Sequence, residues 1–333
     1  MKRKILLFIK KANSSFVLQD EKILNKYFKV KIIEYGYQPG LMTIRNQIRL
    51  FGWLLKNIWS AKFIYIWFAD YHSFLPVLFG KIFKKKSFLV LGGYDVTYIP
   101  EINYGSFSNP LRTFCTKFSI KNTTLNLPVS DYIEKEVLEK IPNADTKIVY
   151  TGHSKDKFVP SDVIKQKIVL TVGGANSYQR IKIKGIDFFL EVAKKIPEYN
   201  FIAIGIGKHA ITYLKNIPSN FSILGKVEQN ELLANYQKAK VYTQFSMREG
   251  LPSAVCEAML CECIPVGFNN GGIPIAIGDC GFIIKEQNID KAVELIKKAM
   301  ISDKSLGEKA RQRIMNNFSL EKRNKELFKL IME

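Results

Sequence analysis

Short apolar runs alternate with amphipathic stretches along the whole chain. In the first half, residues 5–9, 30–33, 63–67, 87–91, 124–127 and 147–150 read as buried strands, with helical periodicity over 20–27, 44–59 and 131–140. In the second half the predicted strands are 167–172, 201–205, 221–224, 241–244, 264–267 and 281–284, separated by helices over 185–196, 228–239, 253–261 and 290–300. Strands that are apolar on both faces, with helices between them, build parallel sheets covered on both sides. The expected class is therefore α/β: two doubly wound, Rossmann-like domains facing each other across a cleft, joined near residues 158–162. Ligands in such folds sit beyond the carboxyl ends of the strands, so the cleft is the expected site.

Composition supports a globular chain. Of 333 residues, 47% are hydrophobic and 24% charged, which excludes disorder, collagen and a disulfide-stapled miniature. Charge adds something new. The formal net charge is +20, and residues 1–130 hold 20 Lys/Arg against 6 Asp/Glu, a net +14, leaving +6 for the rest. Such asymmetry points to an anionic partner for the first half. Lysine supplies 41 of the 50 basic side chains, and it is the weaker choice for bidentate recognition of phosphates or bases. No nucleic-acid motif accompanies the charge, so no specific nucleic-acid partner is expected. Cys256, Cys261 and Cys263 cluster without a nearby His and read as buried small hydrophobes, not zinc ligands. The basic start Met1–Lys4 precedes too short an apolar run for a secretory leader, and the greasy stretch 63–83 is broken by Asp70, His72, Pro76 and Lys81. The expected location is cytoplasmic.

The segment richest in chemistry is Ser246-Met-Arg-Glu249-Gly250-Leu251-Pro252-Ser253-Ala-Val-Cys-Glu257. A strand ends near Gln244, a polar loop follows, and Pro252 suits the first turn of a helix. Backbone N–H groups at a helix start make an anion site suited to phosphate. Glu249 stands just before this positive end, and Glu257 lies about 7–8 Å further along the axis at 1.5 Å per residue. Two carboxylates so placed can bracket a nucleoside diphosphate sugar, one at the sugar hydroxyls and one at the ribose.

The two glutamates, followed by Glu257-Ala-Met and Ile264-Pro-Val, resemble the signature of family-4 retaining glycosyltransferases of the GT-B fold, the glycosyl transferases group 1. The likeness extends from Gly205-Ile-Gly207 and Gly225-Lys-Val-Glu through Gly271-Gly-Ile-Pro to Gly278-Asp-Cys-Gly281, about residues 166–300. It implies an acceptor-binding domain over 1–160, a donor-binding domain over 161–318, and a C-terminal helix within 319–333 that packs back on the first. It implies transfer of a sugar from a nucleoside diphosphate sugar to a saccharide or lipid-linked acceptor, with retention. No cofactor and no metal are expected, because fixed cations would face the diphosphate. Lys184 matches the family's lysine, and Arg180 is the candidate arginine, with Lys182 as alternative. Gly250, Leu251, Pro252 and Ser253 would cradle the donor, Glu249 would position its sugar, and Glu257 the ribose.

Two departures stand out. Glu262 occupies a position where the family favours Gly, at the turn from helix to strand. In Leu91-Gly-Gly-Tyr-Asp95 the family's His is replaced by Gly92 while the Asp is kept, which leaves Asp95 and His72 as acceptor-side candidates. His153, in an inter-domain turn, receives no chemistry.

The helix over 44–59 carries Arg45, Arg49, Phe51, Trp53, Leu54, Leu55, Lys56 and Trp59, and Lys84-Lys-Lys86 follows. Two readings stay open: a surface for anionic lipid headgroups, or the core face of a Rossmann helix. The net +14 favours the first, and with it a peripheral place on the inner face of the plasma membrane. Rival functions are a nucleotide-sugar epimerase, which would need an acid, a base and a His in the cleft, a non-catalytic nucleotide-sugar-binding or membrane-associated scaffold, and a nucleic-acid binder driven by bulk charge.

Overall fold

Eleven strands, all paired in parallel, carry the fold in two sheets among the described residues. The computed structural model describes residues 3–11, 13–36 and 41–333; Met1 and Lys2 of the basic start lie outside them. The chain divides into one unit of Met1–Thr151 with Arg323–Glu333 and a second of Gly152–Lys322. Residues 152–160 thus lie with the second unit, whereas the sequence grouped them with the first.

The first unit runs β1 (Ile5–Lys10), α1 (Ser15–Tyr27), β2 (Lys29–Glu34), α2 (Leu41–Asn57), β3 (Phe63–Trp67), α3 (Tyr71–Ile82), β4 (Lys86–Leu91), α4 (Pro110–Asn122), β5 (Leu125–Pro128) and α5 (Asp131–Lys140). Its sheet order is β2-β1-β3-β4-β5. This is the flavodoxin-like winding, and it reverses direction between β1 and β3. Leu6, Leu7, Phe8 and Ile9 of β1 and Ile64, Tyr65 and Ile66 of β3 are wholly buried, as central strands covered on both faces must be.

The second unit runs β6 (Gln166–Ala175), α6 (Tyr178–Lys184), α7 (Ile186–Lys195), β7 (Asn200–Ile206), α8 (Lys208–Ile211), β8 (Phe221–Leu224), α9 (Gln229–Lys238), β9 (Ala239–Gln244), α10 (Ser253–Leu260), β10 (Ile264–Phe268), α11 (Ile273–Ile277), β11 (Phe282–Ile284), α12 (Ile289–Ile301), α13 (Lys304–Asn317) and α14 (Leu320–Met332), whose last turns belong to the first unit. The order β11-β10-β9-β6-β7-β8 is Rossmann winding, with its reversal between β6 and β9. The five cysteines are free and buried, Cys256, Cys261 and Cys263 completely, as small hydrophobes would be.

Residues 147–150 form no strand, although their apolar pattern predicts one. Lys147 and Val149 donate backbone N–H groups to Asn126 and Pro128 beside β5. The carbonyls of Val149 and Tyr150 instead accept from Nη1 of Arg323, at 2.9 and 2.7 Å. That guanidinium also grips Asp20 through two contacts of 2.6 Å, and Asp20 accepts from the Tyr65 hydroxyl and the Trp67 indole at 2.7 Å each. The C-terminal segment is therefore tied to α1 and β3 by a buried, fully bonded ion pair.

Glu262 has φ 62°, the left-handed conformation that favours glycine. The turn from α10 to β10 keeps the backbone a Gly would ease, with a residue ill-suited to it.

Candidate active site

The reversal point of the second sheet lies between β6 and β9, and the segment after each strand supplies one member of an ion pair. After β6 the chain enters α6, where the Ser177 hydroxyl caps the helix by accepting from the Arg180 N–H at 3.3 Å. Lys184 is the last residue of α6, and Gly185 closes the helix at φ 64°. A Cβ on Gly185 would come within 2.1 Å of the Phe245 carbonyl oxygen, so glycine lets the helix end lie against the start of the β9 loop. The Met247 N–H donates to the Ile183 carbonyl at 2.8 Å and fastens the same junction.

This packing brings Lys184 to Glu249, Nζ to Oε1 at 2.6 Å, with both side chains mostly buried. The carboxylate also accepts from Gln244 Nε2 at 3.2 Å, and Gln244 Nε2 donates to Ser246 Oγ at 2.6 Å. The Gln244 amide oxygen accepts in turn from the Tyr242 hydroxyl at 3.0 Å. Three of these four supporting residues alternate along one strand and its extension, so a single face of β9 presents them all. From the other side, the Gly272 N–H donates to the Glu249 carbonyl at 2.9 Å. A Cβ on Gly272 would lie 1.7 Å from the Gly250 carbonyl oxygen, so these two loops touch backbone to backbone.

Pro252 caps α10 from the outside, one residue before the position its sequence suggests, and Ser253 opens the helix. The N–H groups of Ser253 and Ala254 begin the helix without intrahelical acceptors, the arrangement that attracts anions. Gly250, Leu251 and Pro252, which lead into that helix start, are buried. Glu257 accepts from the Tyr236 hydroxyl at 3.2 Å. Burial pushes its carboxyl up to about 7, with the Tyr236 hydrogen bond and the Lys157 charge pulling the other way. Tyr242 feels the charges of both Glu249 and Glu257, and burial, reinforced by them, holds its phenol well above the ordinary range.

Of the cations near α6, Lys182 is committed to Asp187 at 2.6 Å. Arg180 is half-buried and its guanidinium makes no hydrogen bond or ion pair among the described residues. A cavity of about 620 Å³ opens alongside, walled by Lys182, Gly185, Asp187, Phe188, Tyr213 and Met247 among others. Lys184, Glu249 and Glu257 are not in its wall. Among the described residues no group of three or more His, Cys, Asp or Glu side chains is placed to hold a metal ion.

The first-unit candidates are placed differently. Asp95 is fully buried and its carboxylate accepts from the N–H groups of Gly93, Gly92 and Ala69 at 2.6, 3.1 and 3.3 Å. Burial pushes it up to about 6 against those hydrogen bonds. It clamps the turn after β4 and has no free face for an acceptor. His72 is also fully buried, in the first turn of α3. Its Nε2 lies 2.8 Å from the Trp67 carbonyl oxygen, which can only accept, so that nitrogen carries the hydrogen. Burial depresses its pKa to about 4, and the neutral ring packs on Tyr35. Both side chains are enclosed in the first unit and hydrogen-bonded to its backbone.

Gln244, Tyr242 and Tyr236, which form the hydrogen-bonded surroundings of Glu249 and Glu257, are not among the candidates read from the sequence. The available signal was a polar amide at the end of an otherwise apolar strand, sharing a face with Tyr242.

Residues 154–318, nearly the whole second unit, match the family described as Glycosyl transferases group 1. The match covers just under half of the chain and lies wholly within this unit. The chain is 32% identical over 154 residues to the trehalose synthase of Thermococcus litoralis, covering 41% of this chain and 37% of that one. It thus spans little more than a third of the length of that relative. It is 28% identical over 204 residues to the alpha-galactosylglucosyldiacylglycerol synthase of Streptococcus pneumoniae, 54% of each chain. Among solved structures, Anabaena Alr3699/HepE in complex with UDP and glucose superposes with a TM-score of 0.75 at 14% identity, covering 98% of this chain and 99% of that one. At that identity the likeness shows the GT-B fold alone.

Proposed function

We propose that the protein is a retaining glycosyltransferase that moves a sugar from a nucleoside diphosphate sugar to a saccharide or lipid-linked acceptor. The observation that carries this reading is the Lys184–Glu249 pair at the reversal point of a group 1 unit, just before the start of α10. A solved neighbour that holds UDP and glucose supports the donor class. In the proposed reaction the anomeric C–O bond to the diphosphate breaks, and negative charge gathers on the departing phosphate. Lys184, Arg180 and the N–H groups opening α10 would face that charge. The acceptor hydroxyl bonds to the anomeric carbon on the same face and gives its proton to the leaving phosphate oxygen. Glu249 would hold hydroxyls of the donor sugar, and Glu257 those of the ribose. An acceptor of this kind is met at the cytoplasmic side of a membrane, in synthesis of polysaccharide, lipopolysaccharide or glycolipid.

A melting-temperature panel of UDP-, GDP-, ADP-, CDP- and TDP-linked sugars tests the reading, followed by assay of nucleotide release. One nucleotide class should raise the melting temperature by mass action and be turned over. Absence of both effects for every donor would sink the proposal.

A further inference from the structure

The helix α2 has two separate apolar faces. Leu50, Leu54 and the following Ile58 are completely buried and hold the helix to the first unit. Ile44, Ile48, Phe51 and Leu55 are exposed, Ile48 by 68%. At 3.6 residues per turn these four fall within a sector of about 60°. Trp59, 71% exposed, continues the row beyond the helix end. It stacks edge-on against Phe83, with ring centroids 4.8 Å apart, and Phe51 meets Phe79 in the same way at 5.5 Å. Exposed Ile82, in the last turn of α3, adds to this patch.

The polar flank of the helix carries Arg45, Arg49 and Lys56, all exposed, and Lys81, Lys84 and Lys86 are exposed beside Ile82. Between Glu34 and Asp95 the sequence holds one carboxylate, Asp70, and that one is buried and paired with Lys11 and Arg112. An apolar row this long is rare on the surface of a soluble monomer. With cations along one side and a tryptophan at its end, it has the build of a helix that lies in the headgroup region of a bilayer.

We propose that the outer face of α2, with the end of α3, is a docking surface for an anionic lipid bilayer. Ile44, Ile48, Phe51, Leu55 and Trp59 enter the acyl boundary while Arg45, Arg49, Lys56 and Lys84 meet acidic headgroups. A nucleic acid would use the cations and leave the apolar row uncovered. A second copy of the chain would set like charges against each other. The inference deepens the lipid-linked acceptor reading, yet it is read without donor or acceptor, so either can fail alone.

The test is flotation of the full chain with unilamellar vesicles of phosphatidylcholine alone, and with about one third phosphatidylglycerol. The protein should float with the anionic vesicles only, with a blue shift of tryptophan emission that Trp59→Ala removes. Ile48→Asn with Leu55→Asn, both at exposed positions, should weaken vesicle binding roughly tenfold or more with an unchanged melting temperature. Arg45→Gln with Lys56→Gln should weaken it more mildly and reduce its salt dependence. The proposal is overturned if wild type stays in solution with anionic vesicles at low salt, or if the Ile48/Leu55 variant floats like wild type. It is equally overturned if that variant instead abolishes a lipid-free dimer seen by sedimentation, or if duplex DNA competes the protein off vesicles through the same apolar residues.

Discussion

Lys184 Nζ rests 2.6 Å from Glu249 Oε1, so the end of α6 and the loop before α10 are joined by charge as well as by backbone. In this state the lysine's charge is answered by protein; a bound diphosphate would compete for it.

Lys184→Met should therefore lower turnover of the best donor by roughly 10²–10³-fold, the scale seen when one preorganised donor to a developing anion is removed. Glu249→Gln should also lose turnover. In a double-mutant cycle the two losses should fall well short of adding, because the residues touch. Additive losses with an unaltered fold would show that the pair does not act as a unit.

Glu257 has a carboxyl held near 7 by burial, above its ordinary 4.5. The folded state then binds more protons than the unfolded between these values, and stability falls as pH rises from about 4.5 to 7. Glu257→Gln keeps an acceptor for Tyr236 and removes the ionisation. It should raise the melting temperature above pH 7, and the gain should vanish below pH 4.5. Melting curves across pH 4–8 read this directly, and a gain independent of pH would refute the cause given.

Glu262 pays for its left-handed backbone, since a side chain there is disfavoured by about 1–2 kcal/mol and glycine's looser unfolded chain offsets part of that. Glu262→Gly should stabilise by about 0.5–1 kcal/mol in urea titration, whereas Glu262→Ala should not.

Arg323→Met leaves Asp20 charged and buried with only Tyr65 and Trp67 as partners. A loss of about 3–5 kcal/mol is expected from unfolding curves, the cost of breaking a buried pair from one side. Asp20→Asn in the same chain should recover much of it, because the remaining donors keep a neutral acceptor.

What could be read in the chain was whatever neighbours in sequence decide. Strand positions such as 63–67 and 221–224 emerged with their observed bounds, the second because Asn220 and Gly225 bracket its apolar run. Lys184, Glu249 and Glu257 are candidates from residue type and spacing alone, and the structure adds the direct contact between the first two. What the sequence does not show shares a cause, because burial and partners are set by distant residues. His72 and Asp95 carry reactive groups, but neighbouring elements enclose them. Residues 147–150 look like a strand until Arg323, far along the chain, takes their carbonyls. The outer row of α2 shares its period with the inner one, so periodicity alone could not tell which face was covered.

The backbone contact between Gly272 and Gly250 leaves no room for even one methyl group. Segments 246–252 and 269–273 are consequently one mechanical part made from two stretches of sequence. Anyone grafting a different specificity onto this scaffold would have to transplant both together, because a replacement loop on either side would meet a neighbour cut to the old shape.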